Sequence, residues 1–173
     1  MSFKKVDAKE FNLNPFTTIS VEWMLLSAGT EDNGYNTMTV SWGHLGAIWG
    51  TGKGMPTAVV YVRPQRYTKE FIDSSDIVTL SFFGEEKRDA LKLCGSKSGR
   101  DLDKFAAAGL TPVIGDRGDV DFEESRLTLV GKKLYAQEMK PECFLDKEVD
   151  GTCYANKDYH TVYVCEITQA RQK

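Results

Sequence analysis

Histidine is scarce in this 173-residue chain, which has two, and its four cysteines form no CxxC pair. Zinc sites need such ligands in clusters, so no metal site is expected. Cysteines this widely spaced (Cys94, Cys143, Cys153 and Cys165) read as small buried hydrophobes and reduced cytoplasmic thiols. No apolar stretch approaches the roughly 20 residues that cross a bilayer, and the charged run Met1–Glu10 lacks the apolar segment of a secretory signal. Basic excess is missing too: 22 Lys plus Arg stand against 25 Asp plus Glu, a net charge of −3. General nucleic-acid binding needs a concentrated basic face, so it is not expected. There is no internal repeat, linker or low-complexity segment.

What is present is ordinary globular composition, 41% hydrophobic and 27% charged. The length fits one domain, 1–173, with a real core. Alternating Ile19, Val21, Trp23 and Leu25 predict a half-buried strand over about residues 17–27. The turn formers Gly29–Gly34 lead from it into a strand at Thr37–Trp42, as a hairpin. Gly43–Pro56, with five glycines, reads as a mobile loop. Further strands are predicted at Ala58–Val62, Ile77–Phe83, Arg126–Tyr135 and Thr161–Thr168. Helices are predicted at Thr68–Ser75, Glu85–Leu93 and Asp101–Ala108. Strands outnumber helices and most connections are short, which predicts a mainly β, antiparallel barrel of about six strands with peripheral helices.

Two runs carry candidate chemistry. In Asn36-Thr37-Met38-Thr39-Val40-Ser41-Trp42, alternation puts Met38, Val40 and Trp42 on one face and three hydroxyls on the other. Small hydroxyls and exposed amides suit a flat, polar-edged ring with an anionic tail. A solvent-facing strand would look the same, since threonine favours strands. In Arg63-Pro64-Gln65-Arg66-Tyr67-Thr68, a strand ends, passes a proline and opens a helix at Thr68. Guanidinium and hydroxyl groups beside the N–H groups of a helix start suit a phosphate, although most arginines are surface charges. Together the runs point to a phosphorylated aromatic cofactor.

Three apparent motifs fail. Gly50-Thr-Gly-Lys-Gly-Met55 lacks the third glycine of a dinucleotide fingerprint. As a P-loop it has Ala47 at the first glycine position and Gly54 after Lys53, where Ser or Thr belongs. A nicotinamide donor, if used, is therefore not held by a Rossmann unit. Arg117-Gly118-Asp119 reads as a chance tripeptide in a charged turn.

Four motifs in register resemble the flavin reductase-like family, and within it the flavoredoxin-type branch. They are Asn36–Trp42, Tyr61-Val-Arg-Pro-Gln-Arg-Tyr-Thr68, Cys94-Gly-Ser-Lys-Ser-Gly-Arg-Asp-Leu-Asp-Lys-Phe105 and His160-Thr-Val-Tyr-Val-Cys-Glu-Ile167. The resemblance implies an FMN-binding split β-barrel, Greek-key-like, with peripheral helices, acting as a homodimer with FMN near the subunit interface. It implies an NAD(P)H-dependent flavin reductase, or alternatively a flavoredoxin-like electron carrier between protein partners without a nicotinamide site. Asn36, Thr37, Met38, Thr39, Ser41 and Trp42 would line the ring, with Arg63, Arg66, Tyr67 and Thr68 toward the phosphate. Ser98 to Lys104 would close the pocket, with Cys94 beside it. Many relatives read Gly-Asp-His before the last strand, with the histidine near the reaction site. Here the run is Lys157-Asp158-Tyr159-His160, so His160 stands either as a proton donor or as a structural residue. Cys165 also occupies a place where glycine is usual.

Overall fold

A computed structural model describes residues 3–52 and 54–173. In chain order the strands are β1 (Lys4–Val6), β2 (Met24–Thr30), β3 (Gly34–Val40), β4 (Gly43–Ala47) and β5 (Pro56–Val62). They continue with β6 (Ile77–Phe82), β7 (Pro112–Ile114), β8 (Val120–Phe122), β9 (Leu127–Glu138) and β10 (Thr161–Gln172). The helices are α1 (Pro15–Thr17), α2 (Thr68–Ser74), α3 (Arg88–Ser96), α4 (Lys104–Ala107) and α5 (Lys147–Cys153). The main sheet is antiparallel throughout and ordered β3-β2-β6-β9-β10-β5-β4, with β1 added on β10. None of the described helices is long and apolar enough to cross a membrane.

The two ends of that path are consecutive in the chain. Only Ser41 and Trp42 separate the end of β3 from the start of β4. Three Cα–Cα steps span at most about 11 Å, so the sheet must roll up until its terminal strands nearly meet. The result is a barrel with a split between β3 and β4. Alternation along β2 then feeds two cores. Leu26 packs inside the barrel with Met38, Val60, Leu80, Leu129 and Tyr163, whereas Leu25 packs outside with Leu91, Cys94, Val120 and Phe122 beneath α3. Full burial of each such leucine or valine is worth about 1.5–3 kcal/mol. Cys165 sits in the barrel core, and a Cβ on nearby Gly131 would lie 3.0 Å from the Cβ of Cys165. Bulges between Val164 and Cys165 and between Ile167 and Gln169 let the long β10 coil between two neighbours.

Several expectations are corrected. Residues 17–22 are helical rather than strand, and Trp23 is their cap. The Asn14 side chain accepts from the Phe16 N–H at 3.1 Å, Pro15 opens α1, and a π-turn follows over Thr18–Glu22. Trp23, at φ 67°, ends the turn, and Arg88 clamps it with its guanidinium 3.4 Å over the indole. The Gly43–Pro56 segment is not a loop but a hairpin, because β4 pairs with β5 from Gly43↔Val60 to Ala47↔Pro56. Lys53, the lysine of the failed P-loop, lies outside the described residues, as do Met1 and Ser2. The helix expected to end at Leu93 runs on through Gly95 to Ser96. Of the four cysteines, Cys94 and Cys165 are buried, but Cys143 is exposed and Cys153 half-buried, and all are free. Asp119 of the Arg-Gly-Asp turn is buried in an ion pair with Arg171, which also reaches Asp121 at 3.3 Å. That tripeptide therefore has no accessible carboxylate.

Candidate functional site

At the split lies a cavity of about 160 Å³ lined by Met38, Thr39, Val40, Ser41, Trp42, Tyr61, Arg63, Arg66 and His160. β3 is a terminal strand, so backbone groups along its outer edge have no ladder partner and border this space. Seven of the sequence-assigned residues thus meet here: Met38, Thr39, Ser41, Trp42, Arg63, Arg66 and His160. Through Ser41, Trp42 and Tyr61 the cavity adjoins an apolar groove of about 550 Å³. The groove's walls include Phe16, Ile19, Leu45, Met139, Phe144 and Tyr154, and no Lys, Arg, Asp or Glu.

The remaining assigned residues form a layer behind β3. Lys104 is 6% exposed, and its Nζ donates to Thr37 O at 2.9 Å and to Cys94 O at 2.8 Å. One residue further on, Gly95 O accepts from Arg66 Nη1 at 2.8 Å. The two cations therefore converge on the last turn of α3. Neither has a carboxylate partner among the described residues. Desolvation first, and Arg66 in addition, lower the Lys104 pKa. Asn36 Nδ2 donates to Thr68 Oγ1 at 3.3 Å. A Cβ at Gly99 would lie 2.5 Å from Asn36 Oδ1, so any other residue there would displace the Asn36 amide. Ser98 Oγ accepts from the Arg100 N–H, and Arg100 stacks 4.3 Å over the Tyr67 ring, away from the cavity. Burial pushes the Cys94 thiol up to about 11, which makes it unreactive.

Other details differ from the sequence reading. The hydroxyl ladder is not open: Thr39 Oγ1 donates to Leu91 O at 2.5 Å and Thr37 Oγ1 to Leu26 O at 3.3 Å. Thr68 is the first residue of α2 and makes no capping bond, and the Lys69 and Glu70 N–H groups already donate to Arg66 O and Tyr67 O. The start of α2 thus has few amides left for an anion. Arg63 is engaged within the protein, paired with Asp158 at 2.6 Å, donating to Cys153 O at 3.0 Å and lying 5.2 Å over the Tyr154 ring.

His160 is 7% exposed and lies between Trp42, with ring centroids 5.1 Å apart, and Tyr154, whose Oη is 2.8 Å from its Nδ1. Desolvation, then the positive charge of Arg63, push its pKa down to about 4, so the ring is neutral at pH 7. Sequence reasoning missed Tyr61 and Tyr154. Tyr61 stands inside one of the four motifs, as the residue whose outward face follows from buried Val60 and Val62. Tyr154 depends on α5, which no periodicity announced.

The flavin reductase like domain matches residues 17–173. The chain belongs to that family. No curated protein matches it. Among solved structures it is similar to a flavoredoxin from Methanosarcina acetivorans, with 18% identity over 96% of this chain and 76% of that one, TM-score 0.67. An FMN-binding protein from Thermus thermophilus with bound 1-cyclohex-2-enone has 18% identity over 86% and 68%, TM-score 0.63. An NADH:FAD oxidoreductase from Streptomyces globisporus in complex with NAD and FAD fragments has 13% identity over 88% and 74%, TM-score 0.63. The fold is the split barrel of these proteins.

Proposed function

We propose that the chain, as one domain, binds FMN non-covalently at the split and acts as a flavin-dependent oxidoreductase of the NAD(P)H:flavin reductase type. The observation that carries this reading is the pair Arg66 and Lys104, two cations without a carboxylate on the last turn of α3, beside the free edge of β3. Like charges held together without a counter-charge fit an anionic ligand group, and a monophosphate at the end of a flat ring supplies one. Arg66 would contact the phosphate directly, with Lys104 behind it fixing α3 and adding its field. The β3 edge from Thr39 to Trp42 would offer backbone groups to the polar rim of the ring, and Trp42 and Tyr61 would border it. Arg63, tied to Asp158, would hold the cavity's shape. The bound flavin would supply the redox chemistry. The protein's own part is to orient the ring, exclude water from one face and present a hydrogen-bond donor.

The apolar groove favours a second reading, a flavoredoxin-like electron carrier. A nicotinamide dinucleotide brings a pyrophosphate, and burying it against walls without a cation is costly. One experiment separates the readings. The purified protein is expected to show a flavin absorbance spectrum and to prefer FMN to riboflavin. Anaerobic NADH or NADPH then bleaches it if the first reading holds, while a yellow protein indifferent to both is the carrier. Equal affinity for FMN and riboflavin would remove the phosphate site and with it both readings.

A homodimer belongs to the same proposal. Phe16 (83% exposed), Leu145 (100%) and Val149 (46%) stand around or near the groove, an apolar rim that a second copy would cover. Light scattering should give twice the 19.4 kDa chain mass at micromolar concentration; a monomer that still holds FMN tightly contradicts it.

A further inference from the structure

We propose that Tyr154 is a positioning residue for His160: its phenol donates to Nδ1 and so fixes the single imidazole proton on Nε2, the atom that opens on the cavity. Tyr154 Oη lies 2.8 Å from His160 Nδ1 and 3.3 Å from Met139 Sδ. The phenol has one proton to give, and the imidazole lone pair is the nearer and far better acceptor. Nε2 has no hydrogen-bond partner among the described residues, yet it is not one of the buried polar atoms left without one. His160 is nearly buried and lines the cavity, so the space that reaches Nε2 is the cavity itself.

The phenol is held by more than this bond. Its ring stacks on Tyr159, with centroids 4.9 Å apart and planes at 25°, and the Tyr159 hydroxyl donates to Asp150 Oδ1 at 2.9 Å. The Tyr154 N–H donates to Asp150 O at 2.9 Å, and the Arg63 guanidinium lies over the other part of the cluster, 5.2 Å from the Tyr154 ring. Tyr159 is the residue that interrupts the Gly-Asp-His pattern, and here it supports the aromatic stack behind the histidine. The charged groups bearing on the imidazole are Arg63, Asp158 and Arg66. Their net effect, with burial, keeps the ring neutral, so one nitrogen donates and the other accepts. Such a histidine gives a directed hydrogen bond and does not act as an acid. That consequence for the flavin rests on the proposed function; the tautomer does not.

The test is long-range ¹H–¹⁵N correlation NMR on the flavin-free protein, which has only two histidines; His44→Gln assigns them. The expected wild-type pattern has Nδ1 at the unprotonated position and Nε2 at the protonated one. In Tyr154→Phe the two resonances should converge as both tautomers populate, while Tyr159→Phe, which keeps the phenol of Tyr154, should stay near the wild-type pattern. A wild-type His160 protonated on Nδ1, or a folded Tyr154→Phe with unmoved shifts, overturns the proposal. If Tyr154→Phe does not fold, the wild-type spectrum alone decides. With FMN bound, Tyr154→Phe should slow flavin reduction about 10-fold without raising KM. A tautomer shift without that slowing leaves the positioning intact and rejects the placement of the flavin ring at His160.

Discussion

Arg66→Ala is expected to weaken FMN binding about 10- to 100-fold and to leave riboflavin binding nearly unchanged. A charge-assisted hydrogen bond is worth roughly 1.5–3 kcal/mol, and each 1.4 kcal/mol is about one decade in affinity. The fold itself should survive, because the Arg66 side chain makes one hydrogen bond among the described residues, to Gly95 O, from a half-buried position. Riboflavin lacks the phosphate, so it is the control that separates a lost contact from a damaged barrel. Fluorescence titration of both ligands reads the contrast, and parallel losses would remove Arg66 from the phosphate site. Thr68→Ala belongs to a different class from what its place in the sequence implies. Its hydroxyl accepts from buried Asn36 and caps nothing, so its loss orphans an amide, at a cost in stability of about 1–3 kcal/mol, rather than loosening a helix end.

The second large effect is a pH dependence of stability traced to His160. Its folded pKa, about 4, lies below the 6.5 of an unperturbed imidazole. Between those values the unfolded chain binds a proton that the folded chain does not. Folding is therefore unaffected by this group above pH 6.5 and loses stability as the pH falls toward 4. At 1.36 kcal/mol per pH unit of difference the full effect is at most about 3 kcal/mol, reduced by whatever water the cavity admits. Urea unfolding at pH 7 and pH 4.5 should show the loss in the wild type and most of it abolished in His160→Gln. Identical pH slopes in the two proteins would place the sensitivity elsewhere. Asp158, whose carboxyl is held below the usual range first by the Gln65 hydrogen bond and then by Arg63, contributes only at lower pH, so the two windows separate.

Much of the barrel was legible because its strands are short apolar runs bounded by turn formers. Buried and open residues alternate along much of β5 and β10, whereas β6 is buried along nearly its whole length and β9 over its first five residues, so those two read as strands from their apolar, β-branched runs instead. The failure at residues 17–23 has a local cause: Ile19, Val21 and Trp23 alternate, but the Asn14 cap and Pro15 had already set a helical path. β4 was hidden by its glycines, whose conformational freedom reads as a loop until a partner strand orders them. α5 carries no apolar stripe of its own, having no fully buried residue, so no periodicity marks it. At the site, the residues of β3 and the Arg-Pro run could be read because one strand and one turn carry them. The behaviour of individual groups could not, because it depends on contacts distant in sequence. Asp158 occupying Arg63, 95 positions away, and Lys104 reaching Thr37 across 67 are both products of the closed barrel.

Ser41 and Trp42 have a mechanical consequence. Most barrels are closed by hydrogen bonds between neighbouring strands, which can break and re-form independently of the backbone. Here the gap between β3 and β4 is bridged by covalent chain, and by two residues only. The link limits how far Val40 and Gly43 can part, while the far ends of the two strands, Gly34 and Ala47, are not held by it. A change in the link turns the backbone at Ser41 or Trp42, and the Trp42 indole sits against His160 and borders both the polar cavity and the apolar groove. One side chain thus registers the state of the mouth, and once Trp23 and Trp49 are replaced its fluorescence would report it.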